Sequence, residues 1–152
     1  LMNVNGDPKV IEFNCRLGDP ETEVVIPRIE TDIIDILEGI ANNTIHEVPV
    51  KERTDTAATV FLVSGGYPGT FEKGKQITGL ENVNGSMVFH AGTRLTADNT
   101  VVTNGGRVLA ITSFGNSIQE AARRSFVNAE CIHYDGKYYR KDIGNDLLNL
   151  TL

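Results

Sequence analysis

The sequence predicts an α+β fold: a small, mostly antiparallel β-rich unit covered by one main helix and preceded by a hairpin and shorter helices. Apolar runs separated by glycine- and asparagine-containing turns recur through residues 57–113, which is typical of short antiparallel strands. Residues 117–130 repeat apolar side chains at helical spacing. A polar segment interrupted by proline precedes these strands, and the texture of the sequence changes beyond it; we therefore expect two structural units in the chain.

The chain begins with the pattern of a β-hairpin. A short apolar run starts at Leu1, and the turn sequence NGDP follows at residues 5–8. Residues 10–14 then alternate apolar and polar side chains, which predicts a second strand with one solvent-facing side. Ile11 and Phe13 would face the core, because successive strand side chains point to opposite faces. A strand that begins at the first residue favours a piece of a longer protein.

Two helices are expected after the hairpin. Asp19 has the position of an N-cap and Pro20 that of the first helical residue, which predicts about two turns of helix. Residues 31–41 carry a broad isoleucine- and leucine-rich stripe with acidic side chains opposite, which predicts a second, amphipathic helix. Either Thr31 or Asp32 can cap it.

Five strand candidates make up the β-rich unit, at residues 57–63, 76–80, 87–91, 101–103 and 107–113. Ser117 and Glu120 have the spacing of a capping box, and the helix that they open is expected to reach about Glu130. This helix should cover one face of the strands. Residues 134–139 favour a final hairpin or turn, and residues 145–152 an end that is poorly fixed.

Composition excludes several classes of protein. The chain has 152 residues, of which 40% are apolar and 22% charged, as in soluble globular proteins. No apolar run approaches the roughly 20 residues that a membrane-spanning helix needs, and no secretory signal is recognisable. Cys15 and Cys131 have no zinc-site spacing and form no disulfide framework, so we expect buried, reduced thiols in a cytoplasmic protein.

The charge is unevenly distributed along the chain. Residues 1–47 carry ten acidic and three basic side chains, whereas residues 48–152 carry ten acidic and eleven basic ones. A nucleic-acid surface would need a basic stripe, so DNA or RNA binding is not expected. The change in charge, together with a polar segment interrupted by proline, predicts a first domain at residues 1–47, a linker at 48–53 and a second domain at 54–152.

The strongest candidate site lies at the mouth of the predicted second strand. Glu12 and Asn14 would emerge on the same side of that strand and offer two oxygen ligands of the kind that Mg²⁺ prefers. Arg16 follows as a permanent cation that can hold a phosphate or a carboxylate. The same pattern is also typical of a solvent-facing strand followed by an ordinary helix start. Spacing alone leaves both interpretations open.

Other candidate sites have weaker support in the sequence. The glycine pairs at residues 65–66 and 105–106 could cradle an anion, but neither opens a helix or matches a known phosphate-binding pattern, which favours tight turns. His90 lies at a strand end, where a hydrogen-bonded structural role is expected. His46 and His133 are too scattered to form a zinc site with it.

Five motifs, in this order along the chain, resemble the carboxy-terminal part of the phosphoribosylamine–glycine ligase family (glycinamide ribonucleotide synthetases). They are VIEFNCRLGDPETE at residues 10–23, GGYPG at 65–69, VFHAGT at 88–93, VTNGGRVL at 102–109 and RKDIG at 140–144. Ordered matches over nearly the whole chain are more specific than any one of them. That family belongs to the ATP-grasp superfamily. The resemblance therefore places the end of an ATP-grasp domain in residues 1–47 and a carboxy-terminal β-rich domain in residues 54–152.

The resemblance implies ATP-dependent joining of glycine to 5-phosphoribosylamine in purine biosynthesis, through a glycyl phosphate. Glu12 and Asn14 match the family's metal-binding glutamate and asparagine, which would hold Mg²⁺ or Mn²⁺ against the ATP phosphates. Arg16 matches a catalytic and substrate-binding arginine that holds the glycine carboxylate or its acyl phosphate, and Asp19 would help to bind the glycine amine. Such ligases carry their nucleotide-binding lobes and amino-terminal domain before this point, so the chain alone is expected to be inactive.

Two alternative functions remain at this stage. A stand-alone binding or interaction module could use the glycine loops and the β-rich unit to hold a partner. A different ATP-grasp carboxylate–amine ligase is the other alternative, since the pattern Glu-x-Asn-x-Arg is shared within that superfamily.

Overall fold

The computed structural model describes residues 1–147, which contain seven β-strands and three α-helices. In chain order they are β1 (Met2–Val4), β2 (Asp7–Lys9), α1 (Thr22–Val25), α2 (Ile33–Ala41), β3 (Thr56–Val63), β4 (Ser86–His90), β5 (Thr93–Leu95), β6 (Val101–Thr103), β7 (Arg107–Gly115) and α3 (Ile118–Cys131). Short 3₁₀ turns occur at Ile26–Arg28, Ile45–Glu47, Leu80–Asn82 and Asn145–Leu147. Of the expected poorly fixed end, residues 148–152 lie outside the described residues.

A three-stranded antiparallel sheet in the order β3-β7-β4 organises the β-rich unit. The central strand β7 pairs with both neighbours, so that Ile111 lies opposite Val60 on one side and Val88 on the other. β5 and β6 form a separate antiparallel pair. The α+β prediction with mostly antiparallel strands is therefore confirmed. The strand predicted at residues 76–80 is wrong, because that segment makes only isolated bridges before a 3₁₀ turn.

The hydrophobic core lies between this sheet and α3. Its members come from β3, β7, α3 and the segments that flank them: Val60, Leu62, Ile77, Val108, Leu109, Ile111, Ala129, Ile132, Tyr134 and Tyr139. Polar groups on this face are satisfied internally, since the Ser125 hydroxyl donates to the Ala58 carbonyl at 2.9 Å and its oxygen lies 2.8 Å from Ser113 Oγ, from which it can accept a hydrogen bond. The predicted covering helix is confirmed.

Helix α3 begins as the sequence predicts. Ser117 is the N-cap and its Oγ accepts a hydrogen bond from the Glu120 amide at 3.2 Å. The Glu120 carboxylate reaches back to the Asn116 amide at 2.8 Å, one residue before the N-cap amide of a standard capping box. The hydrogen bond from the Asn116 amide, together with the nearby Arg124 guanidinium, lowers the pKa of Glu120, because both favour its charged form. Two exposed N–H groups at the helix start thereby find acceptors.

The amino-terminal hairpin is shorter than predicted. Asn5 and Gly6 have φ values of 55° and 86°, as a tight two-residue hairpin turn requires, and Met2 lies opposite Lys9. Residues 10–14 form no strand, and Ile11 and Phe13 are 63% and 89% exposed. The prediction of a strand with a buried face is therefore wrong.

The first helix also differs from prediction. α1 is one turn long and is preceded by Glu21, which makes no side-chain capping bond. Asp19 does not cap it; the Asp19 carboxylate pairs instead with Arg107 of β7. A guanidinium offers a carboxylate a charge-assisted bond that competes well with a backbone amide. The capping role predicted for Asp19 is wrong.

The second helix confirms its predicted cap but not a buried face. Asp32 Oδ1 accepts a hydrogen bond from the Ile34 amide at 2.8 Å. Ile34, Leu37 and Ile40 are each more than half exposed. The amphipathic pattern is therefore real, although no described element covers its apolar side.

Residues 49–53, in the predicted linker, lie alongside residues 28–31. The Glu30 amide donates to the Lys51 carbonyl at 2.9 Å, and the Arg53 amide donates to the Arg28 carbonyl at 2.8 Å. The segment is thus held by backbone hydrogen bonds. The division of the chain into domains at residues 47 and 54 stays a prediction.

Two further expectations concern the cysteines and membrane-spanning helices. Cys15 is exposed and Cys131 is half-buried, so the prediction of two buried thiols is wrong; both are free. Among residues 1–147 no helix is both long and apolar enough to cross a bilayer.

Candidate functional site

The structure brings Glu12 and Asn14 together. The Asn14 side-chain amide donates to Glu12 Oε1 at 3.1 Å, and both side chains are exposed. The segment has no regular secondary structure, yet the hydrogen bond shows that these two side chains point to the same side of it. A carboxylate and an amide therefore lie within one hydrogen bond of each other, as the sequence predicts.

This pair suits a divalent cation that is shared with another ligand. Turning the Asn14 amide over would place its oxygen beside the Glu12 carboxylate, giving two oxygen donors on one side of the chain. Among residues 1–147 no group of three or more histidine, cysteine, aspartate or glutamate side chains could enclose a metal ion. Magnesium is commonly held by one or two protein oxygens, substrate phosphates and water, and the donor set fits that pattern.

Arg16 lies two residues beyond this pair and is exposed. Its Nη1 donates to the neighbouring Leu17 carbonyl at 2.8 Å. The remaining N–H groups of the guanidinium make no hydrogen bond within the described residues, so they can hold an anionic group.

Asp19 ties the candidate site to the β-rich unit. Arg107 Nη2 donates to Asp19 Oδ2 at 2.7 Å, and Arg107 Nη1 lies 3.5 Å from the Asp19 carbonyl oxygen. The Arg107 guanidinium also lies over the Phe61 ring, 5.3 Å from its centroid. A second attachment joins the same two regions, since the Thr112 hydroxyl donates to the Glu23 carbonyl at 2.9 Å. The sequence interpretation missed Arg107, although it lies within the GGRVL part of one resemblance motif.

Three glycine-containing loops meet beside Arg107. The Ser64 amide donates to the Gly106 carbonyl at 2.8 Å, and the Gly92 amide donates to the Arg107 carbonyl at 2.8 Å. A Cβ on Gly106 would lie 2.1 Å from Cδ2 of Tyr67, so a larger residue there would collide with the aromatic ring. A Cβ on Gly92 would lie 2.4 Å from the Arg107 carbonyl oxygen. These glycines permit the loops to approach closely and set the position of Arg107.

The environment of the first loop disfavours an anion cradle. A small cavity is lined by Ser64, Gly65, Glu72, Lys75 and Asp135, among others. Lys75 Nζ lies 2.6 Å from a Glu72 carboxylate oxygen and 3.1 Å from one of Asp135. These two carboxylates raise the pKa of Lys75 and already form ion pairs with its ammonium group. The contacts agree with the interpretation of the glycine pairs as turns.

His90 has a local partner. Its Nδ1 lies 3.0 Å from the Thr93 hydroxyl across the bend between β4 and β5. This matches the expected hydrogen-bonded structural role.

The fold agrees with a solved structure of known identity. The chain superposes on the crystal structure of phosphoribosylamine–glycine ligase from Thermotoga maritima with a TM-score of 0.78 and 40% sequence identity. The match covers 93% of this chain and 34% of that one. Because identity and coverage are both high, the likeness extends beyond general architecture.

The sequence comparisons are specific. The family described as "Phosphoribosylglycinamide synthetase, C domain" matches residues 57–146. The chain belongs to the phosphoribosylglycinamide synthetase C-domain family. It is 43% identical to phosphoribosylamine–glycine ligase of Nostoc sp. over 95% of its length, and 42% identical to that of Escherichia coli over 95%. It spans 35% and 34% of those two relatives.

Proposed function

We propose that this chain is the carboxy-terminal part of a phosphoribosylamine–glycine ligase, in which it supplies the metal-binding and glycine-binding groups. The reaction joins glycine to 5-phosphoribosylamine and converts ATP to ADP and phosphate, as a step of purine biosynthesis. The relatives that share more than 40% of its residues bear that enzyme's name, and they support this assignment. Their greater length supports a division of labour between this part and the preceding ATP-grasp lobes and amino-terminal domain.

The juxtaposition of Glu12 and Asn14 carries the proposal. The Asn14 amide nitrogen lies 3.1 Å from Glu12 Oε1, so with the amide turned over the two side-chain oxygens would suit one side of a Mg²⁺ or Mn²⁺ site completed by ATP phosphates and water. The metal, when bound, neutralises charge on the transferred phosphoryl group. The two side chains project into solvent, where a nucleotide can reach them.

Arg16 and Asp19 suit the two ends of glycine. The free N–H groups of Arg16 would hold the carboxylate, and then the acyl phosphate that forms from it, in a bidentate arrangement. Asp19, half-exposed, would accept a hydrogen bond from the ammonium group. Holding both ends of so small a substrate orients its carboxylate for phosphorylation and then for attack by the amine of 5-phosphoribosylamine.

The test joins this chain to the amino-terminal part of the E. coli relative that the chain does not span. We expect the fusion to release ADP only when ATP, a divalent metal, glycine and 5-phosphoribosylamine are all present. The E. coli part alone serves as the control and should be inactive.

Two outcomes would contradict the proposal. A folded fusion that binds ATP without glycine-dependent ADP release would favour a stand-alone binding module. ADP release with another small carboxylic acid in place of glycine would favour a different ATP-grasp ligase, and a panel of acids and amines distinguishes the two.

A further inference from the structure

We propose that Arg107 is a positioning residue for substrate glycine: it orients Asp19 so that one carboxylate oxygen faces the glycine ammonium. The inference rests on the proposed function and extends it to a residue of the β-rich unit. Arg107 lies 88 residues beyond Asp19 in the chain, on the first residue of β7. It reaches the candidate site only through the fold.

The geometry of the pair leaves one oxygen of Asp19 available. Arg107 Nη2 binds Oδ2 at 2.7 Å, whereas Oδ1 accepts no hydrogen bond from the described residues. An aspartate carboxylate has acceptor capacity on both oxygens. Binding one oxygen to a fixed cation removes much of the side chain's rotational freedom and turns the other oxygen in a defined direction.

The environment of Arg107 makes it a fixed support. Its guanidinium lies over the Phe61 ring at 5.3 Å from the centroid, and its Nη1 lies 3.5 Å from the Asp19 carbonyl oxygen. Its backbone carbonyl accepts the Gly92 amide at 2.8 Å. The side chain and the main chain are therefore both held. About a third of the Arg107 side chain is exposed, so the pair lies at the surface, where a small substrate can reach it.

A lone surface ion pair contributes little to folding. A role confined to stability would therefore leave substrate binding almost unchanged. An orienting role would act on glycine selectively, because only the ammonium end of that substrate meets Asp19. Glycolate, which has a hydroxyl in place of the ammonium, provides the matched probe.

The experiment uses the active fusion described above. Arg107→Ala should raise the KM for glycine about tenfold, as expected for losing one charged hydrogen bond, while kcat and the KM for ATP change by less than about threefold. Inhibition by glycolate, whose neutral hydroxyl makes a weaker bond to the Asp19 carboxylate than an ammonium does, should weaken by less than about threefold. Arg107→Lys should restore part of the loss, because a point charge still holds Oδ2. In an Asp19→Asn background, Arg107→Ala should add less than twofold.

Arg123 provides the control, since it lies on the exposed face of α3 and makes no side-chain hydrogen bond within the described residues. Arg123→Ala should leave every constant unchanged. Equal weakening of glycine and glycolate, a fall in kcat alone, or full additivity with Asp19→Asn would overturn the positioning role. An unchanged glycine KM in an active fusion would overturn this inference alone, whereas an inactive wild-type fusion would overturn the proposed function with it.

Discussion

The two regions of the molecule use apolar residues in opposite ways. Every residue of the hydrophobic core lies in the β-rich unit, between Val60 and Tyr139. In residues 1–53 the only buried residue is Gly39, and most of the large apolar side chains of α2 and those of residues 10–13 are exposed. The comparison shows that an amphipathic pattern identifies a face that can be covered, without identifying what covers it.

The two regions also differ in what they contribute to the candidate site. In the β-rich unit a sheet packs against a helix, and the polar groups between them are hydrogen-bonded. Of its described side chains, Arg107 reaches the candidate site. The amino-terminal region contributes Glu12, Asn14 and Arg16, which are all exposed and make only local contacts. Substitutions in the two regions should therefore have different consequences.

The largest effect is expected from Glu12→Ala in the fusion. If Glu12 holds the metal, its loss removes several kcal/mol of charge stabilisation, which corresponds to about a thousandfold in turnover. Urea denaturation of the 152-residue chain should be unchanged, because the side chain is exposed. Glu38→Ala, an exposed acidic residue of α2, is the control and should retain normal turnover. A Glu12→Ala fusion with a near-normal rate would remove this residue from the site.

Leu62→Ala and Leu37→Ala test the contrast in burial directly. Leu62 has 0% exposure in the core, so its truncation should lower the free energy of unfolding by about 2–5 kcal/mol. Leu37 is 53% exposed on α2, and its truncation should change that free energy by less than about 0.5 kcal/mol. Urea denaturation followed by circular dichroism measures both. A comparable loss for the two variants would mean that the α2 face is covered in solution.

The smallest effects are expected at the two helix caps. Ser117→Ala should lower the free energy of unfolding by about 1 kcal/mol, because α3 forms part of the cooperative core. Asp32→Ala removes an equivalent bond from α2 but should leave the denaturation midpoint nearly unchanged. It should instead reduce amide hydrogen-exchange protection within α2, because we expect a helix with so little buried surface to open locally. Equal shifts of the two midpoints would show that both helices belong to one cooperative unit.

Local patterns were sufficient for much of the β-rich unit. β3, β4, β6, β7 and α3 lie where alternation, turn residues and the capping spacing predict them. These elements meet partners within the chain, so intrinsic preference and tertiary packing agree. β5 escaped prediction because three residues beside a bend carry too little periodicity. At residues 10–14 a strand was predicted but is absent. Their pattern is that of a strand, but a strand also needs a hydrogen-bonding partner.

The candidate site likewise contains one pairing that local sequence predicts and one that it does not. The pairing of Glu12 with Asn14 was predicted from their spacing of two residues, and it is present although the segment forms no strand. The pairing of Asp19 with Arg107 has no local signature, because it joins residues 88 positions apart across a loop and a strand end. The sequence position of Asp19 would equally suit a helix cap. Its carboxylate pairs with the Arg107 guanidinium instead, because the fold places that fixed charge beside it. Composition and spacing specify which groups are available, whereas long-range packing selects the partner of each.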